Sequence, residues 1–250
     1  MKIRYLIGKI LLFSAIFSLF LLFPLFQKSA REPMDFSTIP VFFMSLSECL
    51  SGAVVLFLCK RLYSIPIYIQ YEKCAASPIN CKKKSQNKKI RAFLFLKDAG
   101  DVFLCFGILC VFSAVLQVIA FLQQNEKMTM VIFPTGFKWI ICICTLFFSA
   151  FYEEALYRIF VPEYLLSIFI SDLKSNSAKM KKISCILCEL FTLLLFALSH
   201  RYLGILSVIN AAFAHIALRF FLKKDKNLFI TVFAHFLYNL ISLLLIWARQ

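Results

Sequence analysis

Long apolar stretches separated by short basic segments dominate the chain and constrain its fold most strongly. Of its 250 residues, 61% are hydrophobic, and the mean hydropathy is +0.82, whereas about half of a soluble domain is apolar. A helix crosses a bilayer with about 20 apolar residues, and several stretches reach that length. Thirty Phe and only six Gly are not typical of alternating barrel strands. The sequence therefore predicts an all-α fold, a polytopic bundle of transmembrane helices.

Seven spans are predicted, and one short stretch leaves an eighth open. Residues 159–170 are apolar but short, so they either extend the fourth span or form a separate interfacial helix. The longest polar segment, 60–97, contains CKKKSQNKKIR and is predicted to be a solvated loop. The predicted spans lie near 6–26, 39–59, 102–122, 137–157, 183–200, 203–222 and 228–247.

Basic residues between the spans predict the orientation of the chain. Net charge is +15, with 28 Lys and Arg against 13 Asp and Glu. Lys and Arg concentrate on the cytoplasmic side of membrane proteins and attract anionic headgroups. Their distribution here predicts an N-terminus inside and a C-terminus outside in the seven-span arrangement. Anionic lipid, rather than nucleic acid, is the expected partner of this charge, and a bacterial cytoplasmic membrane is the expected location.

The ten Cys do not resemble a disulfide framework. Eight of them lie in apolar stretches, where Cys behaves as a small hydrophobic residue. CILC at 185–188 has CxxC spacing but lacks a second ligand pair and a redox-domain context. Cys74 and Cys81 flank the basic segment and are expected to be reduced.

The stretch FYEEALYRIF, at 151–160, places three ionisable groups in an apolar region. Glu154 and Arg158 are four residues apart, so on a helix they share a face and can form an ion pair. Glu153 points about 100° away and is left free toward another wall. A buried carboxylate whose proton affinity can be tuned is what a general base requires.

Two later stretches supply further polar groups at helical spacing. FALSH places Phe196 and His200 on one face, and HFLYN does the same for His235 and Asn239. Singly, these groups have ordinary explanations, such as a structural ion pair, a core His or an Asn between helices. Together with Glu153 they offer a base, two imidazoles and an amide, which can activate water and stabilise an oxyanion.

The segments EEALYR, FALSH and HFLYN match in order the motifs EExxxR, FxxxH and HxxxN. In these motifs the chain resembles the CAAX-protease and bacteriocin-processing (CPBP or Abi) family of intramembrane proteases, which includes the Rce1-type prenyl-protein endopeptidases. The resemblance covers roughly residues 137–245. It implies one membrane domain, 1–250, with N-terminal spans and the basic loop in 1–136 and a catalytic core with a polar cavity in 137–247.

The resemblance also implies a reaction and a role for each motif residue. The reaction is endoproteolysis of a membrane-associated protein or peptide, for which Glu153 activates the attacking water. His200 assists it or binds the developing oxyanion, and His235 and Asn239 complete the oxyanion site. Three further residues are implied to support the motifs: Glu154, Arg158 and Phe196.

No cofactor is required in this interpretation, although zinc is an alternative. Two His and one Glu form a known catalytic zinc set, which here would be Glu153, His200 and His235. HExxH is absent and the three residues lie on separate helices, which favours metal-independent activation of water.

Two other functions remain open from the sequence. One is a non-catalytic immunity or adaptor protein of the same fold. The other is a small transporter with a buried proton relay, although transporters of that kind usually have internal repeats or helices broken at Gly or Pro. His215 and Arg219 are four residues apart, match no motif, and are predicted to be structural or to line a cavity.

The depth of Glu153 in the membrane adds one structural expectation. The family usually has Gly after the motif Arg, whereas Ile159 stands here and favours a continuing helix. Glu153 must lie level with His200, and it does so only if the fourth helix extends through 159–170.

Overall fold

A computed structural model describes residues 2–26, 33–63, 84–122, 131–172 and 178–248. Within these ranges the regular structure is entirely helical, as predicted. Two π-helical segments, Phe17–Leu21 and Glu154–Phe160, and one 3₁₀ turn, Arg201–Leu203, join or extend the α-helices. The α-helices are α1 Lys2–Ile16, α2 Leu22–Leu25, α3 Ile39–Tyr63, α4 Lys84–Leu122, α5 Lys138–Glu153, α6 Val161–Asp172, α7 Ala178–Ser199, α8 Ile205–Asp225 and α9 Leu228–Ala248.

Six of the described helices are long and apolar enough to cross a membrane. They are Ile39–Arg61, Leu96–Leu122, Lys138–Phe169, Lys179–Ser199, Ile205–Asp225 and Leu228–Ala248. The first predicted span corresponds to a shorter apolar helix, Leu6–Ile16, which continues through the first π segment into α2. The prediction of an all-α polytopic bundle is thus confirmed, and the protein is an integral membrane protein.

The fourth span is longer than the predicted range of 137–157. Helix α5, the π segment Glu154–Phe160 and α6 follow one another without a break, and one apolar span covers Lys138–Phe169. The alternative of a separate eighth helix at 159–170 was therefore wrong. The expected extension is confirmed, and it places Glu153 near the middle of the long helix.

The basic segment 60–97 was also wrongly predicted as a loop throughout. Helix α4 already begins at Lys84, and residues 64–83 lie outside the described residues. Lys, Gln and Arg have favourable helix propensity, and helical hydrogen bonding propagates readily from an existing helix. The helix therefore extends beyond the apolar stretch that marks the span.

The π segment Glu154–Phe160 lies in the interior of the bundle. All seven of its residues are buried, and α3, α7, α8 and α9 each contact it. On one side, Ile159 packs in an apolar cluster that includes Leu222 of α8 and Val232 of α9. The first motif therefore lies where the later helices meet.

Pro162 explains why the helix widens at this point. A proline lacks the N–H that would bond to the carbonyl four residues earlier, and its ring clashes with that carbonyl. Here the carbonyl belongs to Arg158. A π turn adds a residue and shifts the bonding to the fifth residue, as in the bond from the Val161 N–H to the Leu156 carbonyl.

Gly52 allows α3 to approach the long helix closely. A Cβ atom built at this position would lie 3.4 Å from the Cβ of Ala155 and 3.6 Å from the Cα of Tyr152. Both neighbours belong to the motif-bearing helix. The close approach therefore sets the position of that helix relative to α3.

We expect Gly52→Leu to destabilise the protein by about 1–3 kcal/mol, because the added side chain overpacks this contact. Thermal unfolding of the detergent-solubilised protein measures the effect. Gly107→Leu is the matched control, since a Cβ at Gly107 meets nothing within 4 Å. Equal melting temperatures for the two variants would contradict the proposed role of Gly52.

Candidate active site

The imidazole of His235 lies between two acidic side chains of the first motif. Its Nδ1 is 2.9 Å from Oε1 of Glu154, and its Nε2 is 3.8 Å from Oε2 of Glu153. A carboxylate accepts hydrogen bonds, so Nδ1–H of His235 donates to Glu154. The structure thus joins the first and third motifs through one ring.

Glu154 and Arg158 form the ion pair that their spacing predicts. Nη2 of Arg158 lies 3.4 Å from Oε1 of Glu154, and both side chains are 0% exposed. However, Glu154 does more than neutralise Arg158, because the same oxygen binds His235. The sequence predicted that Glu153 would point toward a different wall from Glu154, and this was wrong. Both carboxylates reach one imidazole, since its two nitrogens lie on different edges of the ring.

Phe196 is the centre of a second set of contacts. The guanidinium carbon of Arg158 lies 3.9 Å from the centroid of the Phe196 ring, a cation–π geometry. The rings of His200, Tyr157 and His215 have their centroids 4.7, 5.0 and 5.7 Å from it. The second motif therefore packs directly on the Arg of the first.

His200 lies just beyond the end of α7, with one ring nitrogen held in place. Its Nδ1 lies 2.9 Å from the carbonyl oxygen of Phe196 and 3.1 Å from the Ser199 hydroxyl. The Ser199 hydroxyl itself donates to the Phe196 carbonyl at 2.7 Å. Because the Phe196 carbonyl accepts the bond from Nδ1–H, Nε2 of His200 is the ring nitrogen that can act on a substrate.

The turn after His200 lies within electrostatic range of Glu153. Burial, with a smaller contribution from the Glu153 carboxylate, raises the pKa of the Tyr202 phenol above its ordinary value. Tyr202 belongs to the 3₁₀ turn Arg201–Leu203. Glu153 and this turn are therefore close enough to interact electrostatically.

Asn239 lies one helical turn after His235 on α9 and is partly buried. Residues four apart share a helix face, so its amide belongs to the face that carries His235. Sequence reasoning placed it there, and the unbroken helix Leu228–Ala248 agrees.

Two residues of α8 have a larger part in this region than the sequence analysis expected. His215 is buried against Phe196, and neither of its ring nitrogens has a hydrogen-bond partner among the described residues. Arg219 is also buried and contacts Glu163 and Glu189. The four-residue spacing of His215 and Arg219 indicated that they share a helix face, but it did not identify the residues that they contact.

The arrangement of the His, Cys, Asp and Glu side chains bears on the alternative zinc set. In the described ranges, no group of three or more His, Cys, Asp or Glu side chains is placed to hold a metal ion. The set Glu153, His200 and His235 is therefore not assembled as a ligand cluster. Eight Cys in these ranges are free thiols, and Cys74 and Cys81 lie outside them.

Comparison with known proteins agrees with the three motifs. Residues 135–241 match the family model described as type II CAAX prenyl endopeptidase Rce1-like, and all seven motif residues fall within this range. No curated protein and no solved structure gives a significant match to the chain. The family predicted from the motifs is confirmed for this part of the chain.

We expect Glu154→Gln and Arg158→Met each to destabilise the protein by about 3–5 kcal/mol, because each removes one partner of a buried ion pair. The double variant should recover a large part of this loss, since it removes both charges together. Thermal unfolding of the four proteins in detergent measures the coupling. Losses that simply add in the double variant would contradict a buried ion pair.

Proposed function

We propose that the Rce1-like domain at residues 135–241, a domain of the CAAX-type intramembrane proteases, hydrolyses a peptide bond of a membrane-associated protein or peptide with a water activated by Glu153. The observation that carries this proposal is the position of His235 between the two carboxylates of the first motif. This position brings the proposed base, Glu153, and the proposed hydrogen-bond donor, His235, next to each other inside the bundle.

Glu153 is better suited than Glu154 to act as the base. The Glu154 side chain is 0% exposed and is held by Arg158 and His235, whereas the Glu153 side chain is 22% exposed. Oε2 of Glu153 has no hydrogen-bond partner among the described residues. Its distance of 3.8 Å from Nε2 of His235 is longer than a direct hydrogen bond and suits a bridging water or substrate oxygen.

In this mechanism Glu153 takes a proton from water while the water oxygen forms a bond to the peptide carbonyl carbon. The carbonyl oxygen becomes an oxyanion, to which Nε2–H of His235 and the amide of Asn239 donate. The C–N bond then breaks, and the proton held by Glu153 passes to the leaving amine. His200 assists the water or the oxyanion from the end of α7.

In the proposed mechanism Nε2 of His235 donates while Nδ1–H is bonded to Glu154, so the ring that acts on the oxyanion carries a proton on both nitrogens.

Replacing Glu153 by Gln tests the proposed function. We expect cleavage to fall by roughly 100- to 10,000-fold, because the isosteric amide cannot accept the proton from water. Comparing membrane peptides from cells that make the wild-type or the E153Q protein identifies a substrate, and cleavage by the purified proteins then gives the rates.

Asp101→Asn is the matched control for this experiment. Asp101 is also a buried carboxylate, but it pairs with Lys224 at 2.9 Å, away from the motifs. The D101N protein should cleave like the wild type. Identical peptides with wild-type and E153Q protein would instead support the non-catalytic immunity or adaptor alternative.

Removal of metal tests the choice between the two mechanisms. We expect the purified protein to retain cleavage after dialysis against a zinc chelator, because Glu153 activates water without a metal in the proposed mechanism. The rate before and after dialysis is the measurement. A loss that added Zn²⁺ restores would replace this mechanism with the zinc set Glu153, His200 and His235.

A further inference from the structure

We propose that Arg219 is a positioning residue for this site, which binds the backbone carbonyl of Arg158 and thereby holds the π segment that carries the first motif. The inference rests on the proposed function for its effect on cleavage. Its effect on the geometry of His235 is independent of that function and is measured separately.

The carbonyl of Arg158 lacks its usual helical donor. In an α-helix this oxygen would accept a bond from the backbone N–H of residue 162, but Pro162 has none. An unpaired backbone group is costly inside a bilayer, and neighbouring helices commonly provide the missing bond around a proline. Here α8 provides it, since Nη1 of Arg219 donates to the carbonyl oxygen of Arg158.

Two carboxylates from other helices orient the Arg219 guanidinium. Nη2 lies 2.7 Å from Oε1 of Glu163 on α6 and 2.7 Å from Oε1 of Glu189 on α7, and Nε lies 3.1 Å from Oε2 of Glu189. The side chain of Arg219 is only 6% exposed. A planar guanidinium can make these bonds and keep Nη1 for the carbonyl, which a single ammonium group cannot do as well.

Arg158 connects this arrangement to the catalytic groups. Its backbone is held by Arg219, while its side chain pairs with Glu154 and stacks on Phe196. Glu154 in turn bonds to His235. Displacement of the Arg158 backbone therefore changes the orientation of the imidazole, and small displacements of reacting groups cost much of the rate.

Arg219→Gln tests the effect on cleavage. We expect kcat to fall roughly 10- to 100-fold, because displacement of a catalytic group by up to about 1 Å lowers the rate on this scale. KM should change less than about twofold, because the substrate contacts remain. Arg219→Lys keeps the charge between Glu163 and Glu189, and it should fold and lower kcat in the same direction. If the R219Q protein does not fold, R219K carries the test.

The NMR signals of the His235 ring report on the geometry of the site independently of cleavage. The chain has three His, so its ¹⁵N-imidazole spectrum is simple, and H200Q and H215Q identify the signals of His235. We expect R219Q to shift the Nδ1 signal of His235. Lys223→Gln is the matched control, since the 44% exposed Lys223 contacts only Glu189 of this set, and it should leave kcat and the spectrum unchanged.

A double-mutant cycle with Pro162→Ala tests the backbone argument itself. Alanine restores an N–H for the Arg158 carbonyl, so R219Q should change the free energy of unfolding less in the P162A protein than in the wild type. Additive effects would overturn the link to Pro162. Wild-type kcat together with wild-type His235 signals in R219Q would overturn the proposal, whereas unchanged cleavage by E153Q would overturn the proposed function instead.

Discussion

The fully buried ion pair between Glu154 and Arg158 is the interaction on which the rest of this structure depends. A single charge inside a bilayer is costly, and two charges at 3.4 Å compensate each other. The pair also connects the helices, because Glu154 binds His235 of α9 and Arg158 stacks on Phe196 of α7. The neutralising contact is therefore also the contact that assembles three motifs.

The π segment accommodates Pro162 in the long helix and holds the pair of Glu154 and Arg158 in position. Pro162 removes a helical donor from the Arg158 carbonyl, and the widened turn relieves the clash. Arg219 then binds the freed oxygen while two carboxylates hold its guanidinium. The proline of the long helix and the charge network of α8 therefore act on the same residue, Arg158.

Prediction from sequence succeeded where the determining forces are local. Hydropathy identified the spans, and spacing identified the pair of Glu154 and Arg158, since both follow from the length and period of a helix. It failed at Lys84, because a helix can propagate beyond its apolar stretch. It also did not identify the partners of Arg219, since Glu163 and Glu189 lie 56 and 30 residues away in sequence.

The sequence by itself determined the apolar helices, the order of the three motifs and the pairing of Glu154 with Arg158, because these follow from composition and a period of 3.6 residues. Only the tertiary structure decided that one imidazole meets both Glu153 and Glu154, across 81 residues for the bond to Glu154. Depth and rotation between helices depend on packing at Gly52 and on the π segment. Neither quantity is encoded in the spacing of residues along one helix.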